Sequence, residues 1–507
     1  MNRSPTVLRP VRAKASVFCY ALTGRRDKHY SIPRALPSYG RKIFNLKSEL
    51  FINMDRFINK NLPKISLYQP FHFHIVDNLM FINSLSFIFQ SYLCPKIQPM
   101  ALFNHKISLI EIIREIPDSA LSRIARDSHV DYYCKLLSGK LIFYLLLYGM
   151  LRVDRLSQRG LSDAFSSPMF KLIFDTKGKK SVSRSSISDR LASIEIDFFA
   201  QAYDCIYTRF SSLYTSNEIE RFHLQRIDST LVSEASNKLS QGMTCGNAHE
   251  KKKMLKYTIG FDGTFASCFE MFNEESYASE SLAMPKIILG HFRKVKDHAC
   301  VYLFDRGLSS AGKLGLLNAE YGLHFVGRLN ENRKLEIISK SPVREQDFTY
   351  GELLQDSQAR IFGMEEKITR TGKTSRVLVL QPEIYRVVRF KPKNGEEDIL
   401  LITNILDASA DEIASMYKRR WDIEVFFRFL KQELNFSHFL SLNENGIQVV
   451  LYMTMITAML VMIYKRENEI GYKTAVRRMG IELENLVMAI LVVKSGGDLR
   501  KVDLPDP

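Results

Sequence analysis

Between Ser415 and Lys431 the chain reads Ser-Met-Tyr-Lys-Arg-Arg-Trp-Asp-Ile-Glu-Val-Phe-Phe-Arg-Phe-Leu-Lys. At about 100° per residue of helix, Tyr417, Arg420, Glu424, Arg428 and Lys431 fall within an arc of about 80°. Trp421, Ile423, Val425, Phe426, Phe427, Phe429 and Leu430 cover much of the remaining circumference. A helix of this kind has to be enclosed by the rest of the protein, so the fold must supply a large core around it. Trp421, the single tryptophan, reads as part of that core. Unpaired buried charge is costly, so the polar stripe needs partners. An i,i+4 ion pair between Arg420 and Glu424 satisfies two of its members. It does not account for Tyr417 and Lys431.

The rest of the chain shows two periodicities. From Met100 to about Tyr214 apolar residues recur at helical spacing. Ile107, Leu109, Ile110, Ile113 and Ile116 form one run, which Pro117-Asp118 interrupts, and Leu141–Leu151 forms another. A basic loop, Lys177-Gly-Lys-Lys180, leads into Ser183-Arg-Ser-Ser-Ile-Ser-Asp-Arg190, which has the residues of a capped helix start. Arg184 and Arg190 on that helix suit the second helix of a helix-turn-helix entering a DNA groove. A solvated helix N-terminus accounts for the same residues.

From about Phe222 the period changes to two. Leu255, Tyr257, Ile259 and Phe261 alternate with Lys256, Thr258 and Gly260. Asp262-Gly263 supplies a two-residue hairpin turn, with Thr264–Phe272 as the return strand. Ala299–Phe304 is continuously apolar, as expected of a strand covered on both faces. A helix is expected over Ser309–Tyr321 and a strand over His324–Leu329. Residues 331–400 carry short β-rich pieces, Arg376–Leu380 and Ile384–Phe390, between turn signals, and the α/β pattern resumes at Ile399–Ile405. Helices over a mixed sheet are the natural packing, which makes the fold class α/β. The expected division is an extension over 1–99, a helical region over 100–215, an α/β domain over 216–330 and 401–475 interrupted by a β-rich insertion over 331–400, and a C-terminal tail over 476–507.

Composition narrows the partners. The formal net charge is +16, but residues 1–99 hold 15 Lys+Arg and four acids and so carry +11 of it, together with eight of the 16 prolines. A basic arm for DNA, an Arg-rich targeting peptide and an unstructured extension upstream of a protein starting at Met100 compete for this segment. The extension is the reading adopted here. Seven cysteines without a C-x-x-C spacing speak against a disulfide scaffold and a structural zinc site, which points to a reduced, intracellular protein. Ile447–Tyr464, 18 residues long, sits at the lower limit for a membrane span. It reads as a buried core helix, so no membrane partner is expected.

Glu424 suits metal chemistry only if other carboxylates converge on it. Asp228, after Leu224–Ile227, and Asp305, after Val301–Phe304, both stand at expected strand ends, where open α/β sheets place functional residues. Each alone is as well explained by a turn. Together with Tyr417, Arg420, Glu424 and Lys431 they form a pattern: the sequence resembles the DDE transposases of bacterial insertion sequences, in particular the IS-four branch. The hallmark of that branch is Tyr-x2-Arg-x3-Glu-x6-Lys. Ile-Asp-Ser-Thr at 227–230, Phe-Asp-Arg-Gly at 304–307 and Phe-Val-x-Arg-Leu at 325–329 match its other blocks. The resemblance runs over roughly residues 100–470 and leaves out the first 99.

The resemblance implies a ribonuclease-H-like catalytic domain with a β-rich insertion, preceded by a helical DNA-binding domain. It implies Asp228, Asp305 and Glu424 as catalytic metal ligands for two Mg²⁺ ions, with Asp228 between them and Mn²⁺ as a substitute. Hard carboxylate oxygens suit Mg²⁺, and two ions about 3.5–4 Å apart serve an in-line displacement at phosphorus. Tyr417, Arg420, Arg428 and Lys431 become contacts to DNA, where Arg420 can grip a phosphate bidentately and Lys431 acts as a point charge. The implied function is cleavage at transposon inverted-repeat ends and strand transfer into target DNA by a synaptic homodimer, in a bacterial cytoplasm close to the nucleoid. In some members a Trp in the β insertion stacks a displaced base. Here that role would fall to Phe348, Tyr350, Phe362 or Tyr385. A metal-dependent nuclease of the same fold, or a non-catalytic DNA-binding protein derived from a decayed element, are the competing readings.

Overall fold

Pro117 and Asp118 do end the first helix, and the chain starts a second one at once. A computed structural model describes residues 106–494 apart from 153–155, 175, 177, 215–220, 234–238, 240, 246–251, 343–347, 369–373 and 394–396. The basic extension over 1–99 and the tail past 494 lie outside the described residues. Among the described residues seven helices precede the sheet: α1 (Leu109–Glu115), α2 (Asp118–Asp127), α3 (Gly139–Arg152), α4 (Gln158–Ser166), α5 (Pro168–Ile173), α6 (Arg184–Ser193) and α7 (Ile196–Ser211). Ser108, Ser157, Ser167 and Ser183 precede α1, α4, α5 and α6, and the last three each accept a backbone N–H through their hydroxyl.

Among the described residues a mixed sheet of eleven strands follows. In it β1 (His223–Ser233) pairs antiparallel with β3 (Lys252–Phe261) and parallel with β5 (Cys300–Phe304). β2 (Met243–Cys245) and β4 (Ala266–Phe272) pair with β3, and β6 (His324–Leu329) runs parallel to β5. Antiparallel to β6 lies β11 (Ile399–Thr403), followed by β10 (Tyr385–Pro392), β8 (Gly351–Ile368) and β7 (Leu335–Lys340); β9 (Thr374–Leu380) pairs with the far half of β8. The β-rich stretch over 331–400 therefore prolongs the main sheet through β11.

Three local readings change. The β3–β4 loop has four residues, Asp262–Phe265, because Asp262 folds it: its carboxylate accepts the N–H groups of Thr264 and Phe265. The expected helix over Ser309–Tyr321 is α9 (Ala311–Gly315) followed by a single π-helical turn at Leu316–Glu320. Residues 472–494, most of them assigned from the sequence to a tail, form a helix.

Helices cover the sheet. α8 (Glu280–Val295) packs on β1, β3 and β4, and α10 (Ala410–Lys418) on β6. α11 (Trp421–Glu433) lies against β1. α12 (Glu444–Glu467) is long and apolar enough to cross a membrane, yet 83% of its apolar window is buried in the protein, against α3, α6, α7 and α13 (Tyr472–Lys494) among others. One hydrophobic core joins Phe143, Phe165 and Phe198 of the first helices, Ile259 and Phe261 of β3, Phe426 of α11 and Ile456 of α12.

Candidate active site

Asp228 and Asp305 become neighbours through strand pairing. β1 and β5 are in register from His223↔Cys300 to Arg226↔Leu303. Two residues on, β1 continues as Asp228 while β5 ends and gives way to Asp305. β1 itself runs on to Ser233, held by β3, so Asp228 lies inside a strand.

The segment carrying Tyr417, Arg420 and Glu424 is two helices where the sequence reads as one. Tyr417 is near the end of α10, Arg420 lies in the joint, and Glu424 is in the first turn of α11. The cause is Arg226, whose side chain is fully buried. Its Nε donates to the Arg419 carbonyl at 3.2 Å, the acceptor that the N–H of Ile423 would use in an unbroken helix. Ile423 N–H turns instead to the Arg420 carbonyl at 3.2 Å, and Arg420 N–H to Tyr417 at 3.0 Å, so the joint is tightened to i→i−3 bonds. Another Arg226 nitrogen is 3.1 Å from Asp422 Oδ2.

Three acidic residues gather around the Tyr417–Arg420 pair. The Tyr417 hydroxyl donates to Asp305 Oδ1 at 3.2 Å. The Arg420 guanidinium donates to Glu424 Oε1 at 2.5 Å, lies 4.0 Å from Asp228 Oδ2, and is 5.7 Å from the centre of the Tyr417 ring. Arg420 Nε is buried and has no hydrogen-bond partner. Burial pushes the Asp228 carboxyl up to about 6; the Ser229 N–H and Arg420 pull against that, and Glu280 and Glu424 add to it. Burial, then Asp305, raises the Tyr417 hydroxyl to about 12. Burial alone would lower the pKa of Arg420, but Tyr417, Glu424 and Asp305 outweigh it and raise it.

The remaining expected site residues are spread out. Arg428 and Lys431 are exposed on α11, beyond the cluster. Arg184 is exposed in the first turn of α6, where its Nε is 3.4 Å from Gln158 Oε1. Arg190 departs from the expected DNA contact. Its guanidinium donates to the carbonyls of Leu137 (2.8 Å) and Val130 (2.5 Å), so it ties the 130–138 loop to α6.

Trp421 is a further correction. It is 53% exposed, because it stands two positions before the buried Ile423 and hence about 200° around α11 from the core face. Of the aromatic residues considered for base capture, Phe348 and Tyr385 are buried. Tyr350 and Phe362 are half-exposed, each with a lysine over its ring: Lys418 at 5.4 Å and Lys334 at 4.7 Å from the centroids.

Among the described residues no three His, Cys, Asp or Glu side chains are grouped closely enough to share a metal ion. The donors nevertheless fit Mg²⁺ or Mn²⁺ in kind. They are carboxylates only, two of them paired with the Arg420 guanidinium, and burial holds the Asp228 carboxyl above its ordinary pKa, so that a hard cation would find oxygen ligands there.

Sequence reasoning missed Arg226 and Asp422. Only Arg226 left a signal, since it sits two residues before Asp228 and therefore on the same face of a strand.

Residues 225–460 match the family model of the transposase DDE domain. The "Probable transposase for insertion sequence element IS5377" of Geobacillus stearothermophilus is 43% identical over 76 residues, 15% of this chain and 20% of that protein. The "Putative transposase for insertion sequence element IS4SA" of Synechocystis sp. is 23% identical over 277 residues, 53% of this chain and 68% of that protein. The match thus spans only a fifth of the first relative and about two thirds of the second. The solved piggyBac transposase synaptic complex with hairpin DNA is similar over 79% of this chain and 83% of that one, at 10% identity and a TM-score of 0.43. The family match covers Asp228, Asp305, Glu424 and the whole Tyr417–Lys431 stripe.

Proposed function

We propose that this chain is a cut-and-paste DNA transposase of the IS-four branch, which cleaves transposon ends and joins them to target DNA in a Mg²⁺-dependent reaction. One observation carries the reading: Asp228, Asp305 and Glu424, from a strand, a strand end and a helix far apart in sequence, are linked through Tyr417 and Arg420. The order β4-β3-β1-β5-β6, with the first three antiparallel and the last two parallel to β1, supports a ribonuclease-H-like core.

Asp228, Asp305 and Glu424 would hold the divalent ions, which when bound activate the attacking oxygen and stabilise the leaving one. The side chains around them have their own work. Tyr417 fixes one oxygen of Asp305. Arg420 neutralises Asp228 and Glu424 in the free protein; its unpartnered Nε and planar fork suit a phosphate oxygen once DNA arrives. Arg428 and Lys431 continue the positive charge along the exposed side of α11, Arg184 offers it at α6, and Trp421 adds an aromatic face beside Arg420. The cytoplasm near the nucleoid is the compartment such a reaction needs. Two ends must be handled together, so a homodimer is the working form. A plasmid excision assay tests the reading: Glu424→Ala should abolish excision and nicking, and full retained activity overturns it.

A further inference from the structure

The first turn of α8 touches both segments that carry the aspartates. Glu280 Oε2 accepts from the Ser229 hydroxyl at 2.8 Å, and that hydroxyl lies 2.9 Å from Thr258 Oγ1. Ser229 follows Asp228 directly, and its N–H donates to Asp228 Oδ1 at 2.8 Å. On the other side, Gly307, two residues past Asp305, is so close that a Cβ there would lie 2.6 Å from Glu280 Cγ. The Ser281 hydroxyl donates to the Gly307 carbonyl at 3.4 Å.

Glu280 is in turn held from behind. Its Oε1 accepts from Lys256 Nζ at 2.8 Å, and the same ammonium donates to the Ala278 carbonyl at 2.7 Å. Lys256 is 1% exposed, so its charge has no water to turn to and depends on this carboxylate. Lys256 and Thr258 project from one face of β3, whereas successive β1 side chains alternate, so Ser229 meets this pair and Asp228 meets Arg420 on the opposite face. A counter-ion for Lys256 alone would need neither the Ser229 hydroxyl nor a glycine at 307.

We infer that Glu280, pinned by Lys256, is a positioning residue that fixes the placement of Asp228 relative to Asp305 and thereby sets how tightly the site takes a divalent cation. The inference rests on the metal-dependent reading above. It is tested by titrating Mn²⁺ into the full chain by calorimetry, by the Mg²⁺ dependence of plasmid nicking, and by thermal unfolding in EDTA. The variants are Glu280→Gln, which keeps volume but loses charge, and Gly307→Ala, which displaces Glu280 without altering a carboxylate. Both should weaken Mn²⁺ binding by about tenfold or more and raise the half-saturating Mg²⁺ concentration in step. Ser229→Ala, which removes one hydroxyl, decides if neither of the others folds, and should shift both readouts in the same direction. A pair that serves only the fold lowers the unfolding temperature and leaves both metal readouts at their wild-type values, which overturns the inference. A wild-type chain that binds no Mn²⁺ and nicks without divalent ions overturns the metal reading instead.

Discussion

Arg226 and Asp422 form a 3.1 Å ion pair across the seam between β1 and α11, each two residues before an acidic residue of the site, Asp228 and Glu424. The pair sets how the strand and the helix face one another. Arg226 also donates to the carbonyls of Leu224 and Arg419, so its removal strips three contacts from a fully buried position. Arg226→Ala should cost about 3–5 kcal/mol in urea unfolding at neutral pH. A loss below about 1 kcal/mol would mean that the seam is held by apolar packing alone.

Asp228 makes stability depend on pH. Its carboxyl is raised to about 6 from 3.8, so the folded state binds this proton more tightly than the unfolded chain. Below pH 3.8 both states are protonated and burial carries no penalty; the penalty grows from there to about pH 6 and is constant above it. Asp228→Asn should therefore stabilise the metal-free protein by about 1–3 kcal/mol at pH 7.5, with the gain vanishing near pH 4. Urea unfolding in EDTA across that range checks it, and a gain that does not change with pH contradicts it.

The same proton competes with a cation. Half-saturating Mn²⁺ should stay flat from pH 8 to pH 7 and rise by about tenfold per unit below about pH 6. Calorimetric titrations at three pH values measure this directly. A flat response down to pH 5 would remove Asp228 from the set of ligands.

Trp421 separates a core role from a surface one. At 53% exposure its removal should cost less than about 1 kcal/mol of stability, well below the loss expected of a buried tryptophan. Binding of end-sequence DNA should weaken by about tenfold, the range of one lost base stack. Melting and gel-shift measurements on Trp421→Ala read the two effects separately.

Arg184 and Arg190 should part company in the same pair of measurements. Arg190→Ala leaves the carbonyls of Val130 and Leu137 without their donor and should destabilise by about 1–3 kcal/mol. Arg184→Ala should leave melting unchanged and lower the salt dependence of DNA binding by about one phosphate contact.

What the residues themselves carry was legible. The Pro117 stop, the all-apolar β5 and the alternation of β3 follow from local propensity and period. What depends on a distant neighbour was not. The joint at Arg419–Arg420 exists because Arg226, 193 residues away, takes a carbonyl. Lys256 reads as a solvent-facing residue of an alternating strand until α8 covers it and Glu280 neutralises it. Likewise the motif spacing singles out Tyr417 and Arg420, but only the fold shows Tyr417 facing Asp305 while Arg420 lies between Asp228 and Glu424.

The core shared by α3, α6, α7 and α12 has a consequence for synthesis. Asn445 closes the end of α6 by donating to the carbonyls of Leu191 and Ile194, and Thr457 of α12 reaches Met150 of α3. On the ribosome the early helices emerge hundreds of residues before the one that completes their packing, so they must wait, with apolar faces open, for nearly the whole chain to be made. A chain built this way cannot shed a folded N-terminal fragment from a broken message: one that stops before α12 leaves its own beginning unfinished.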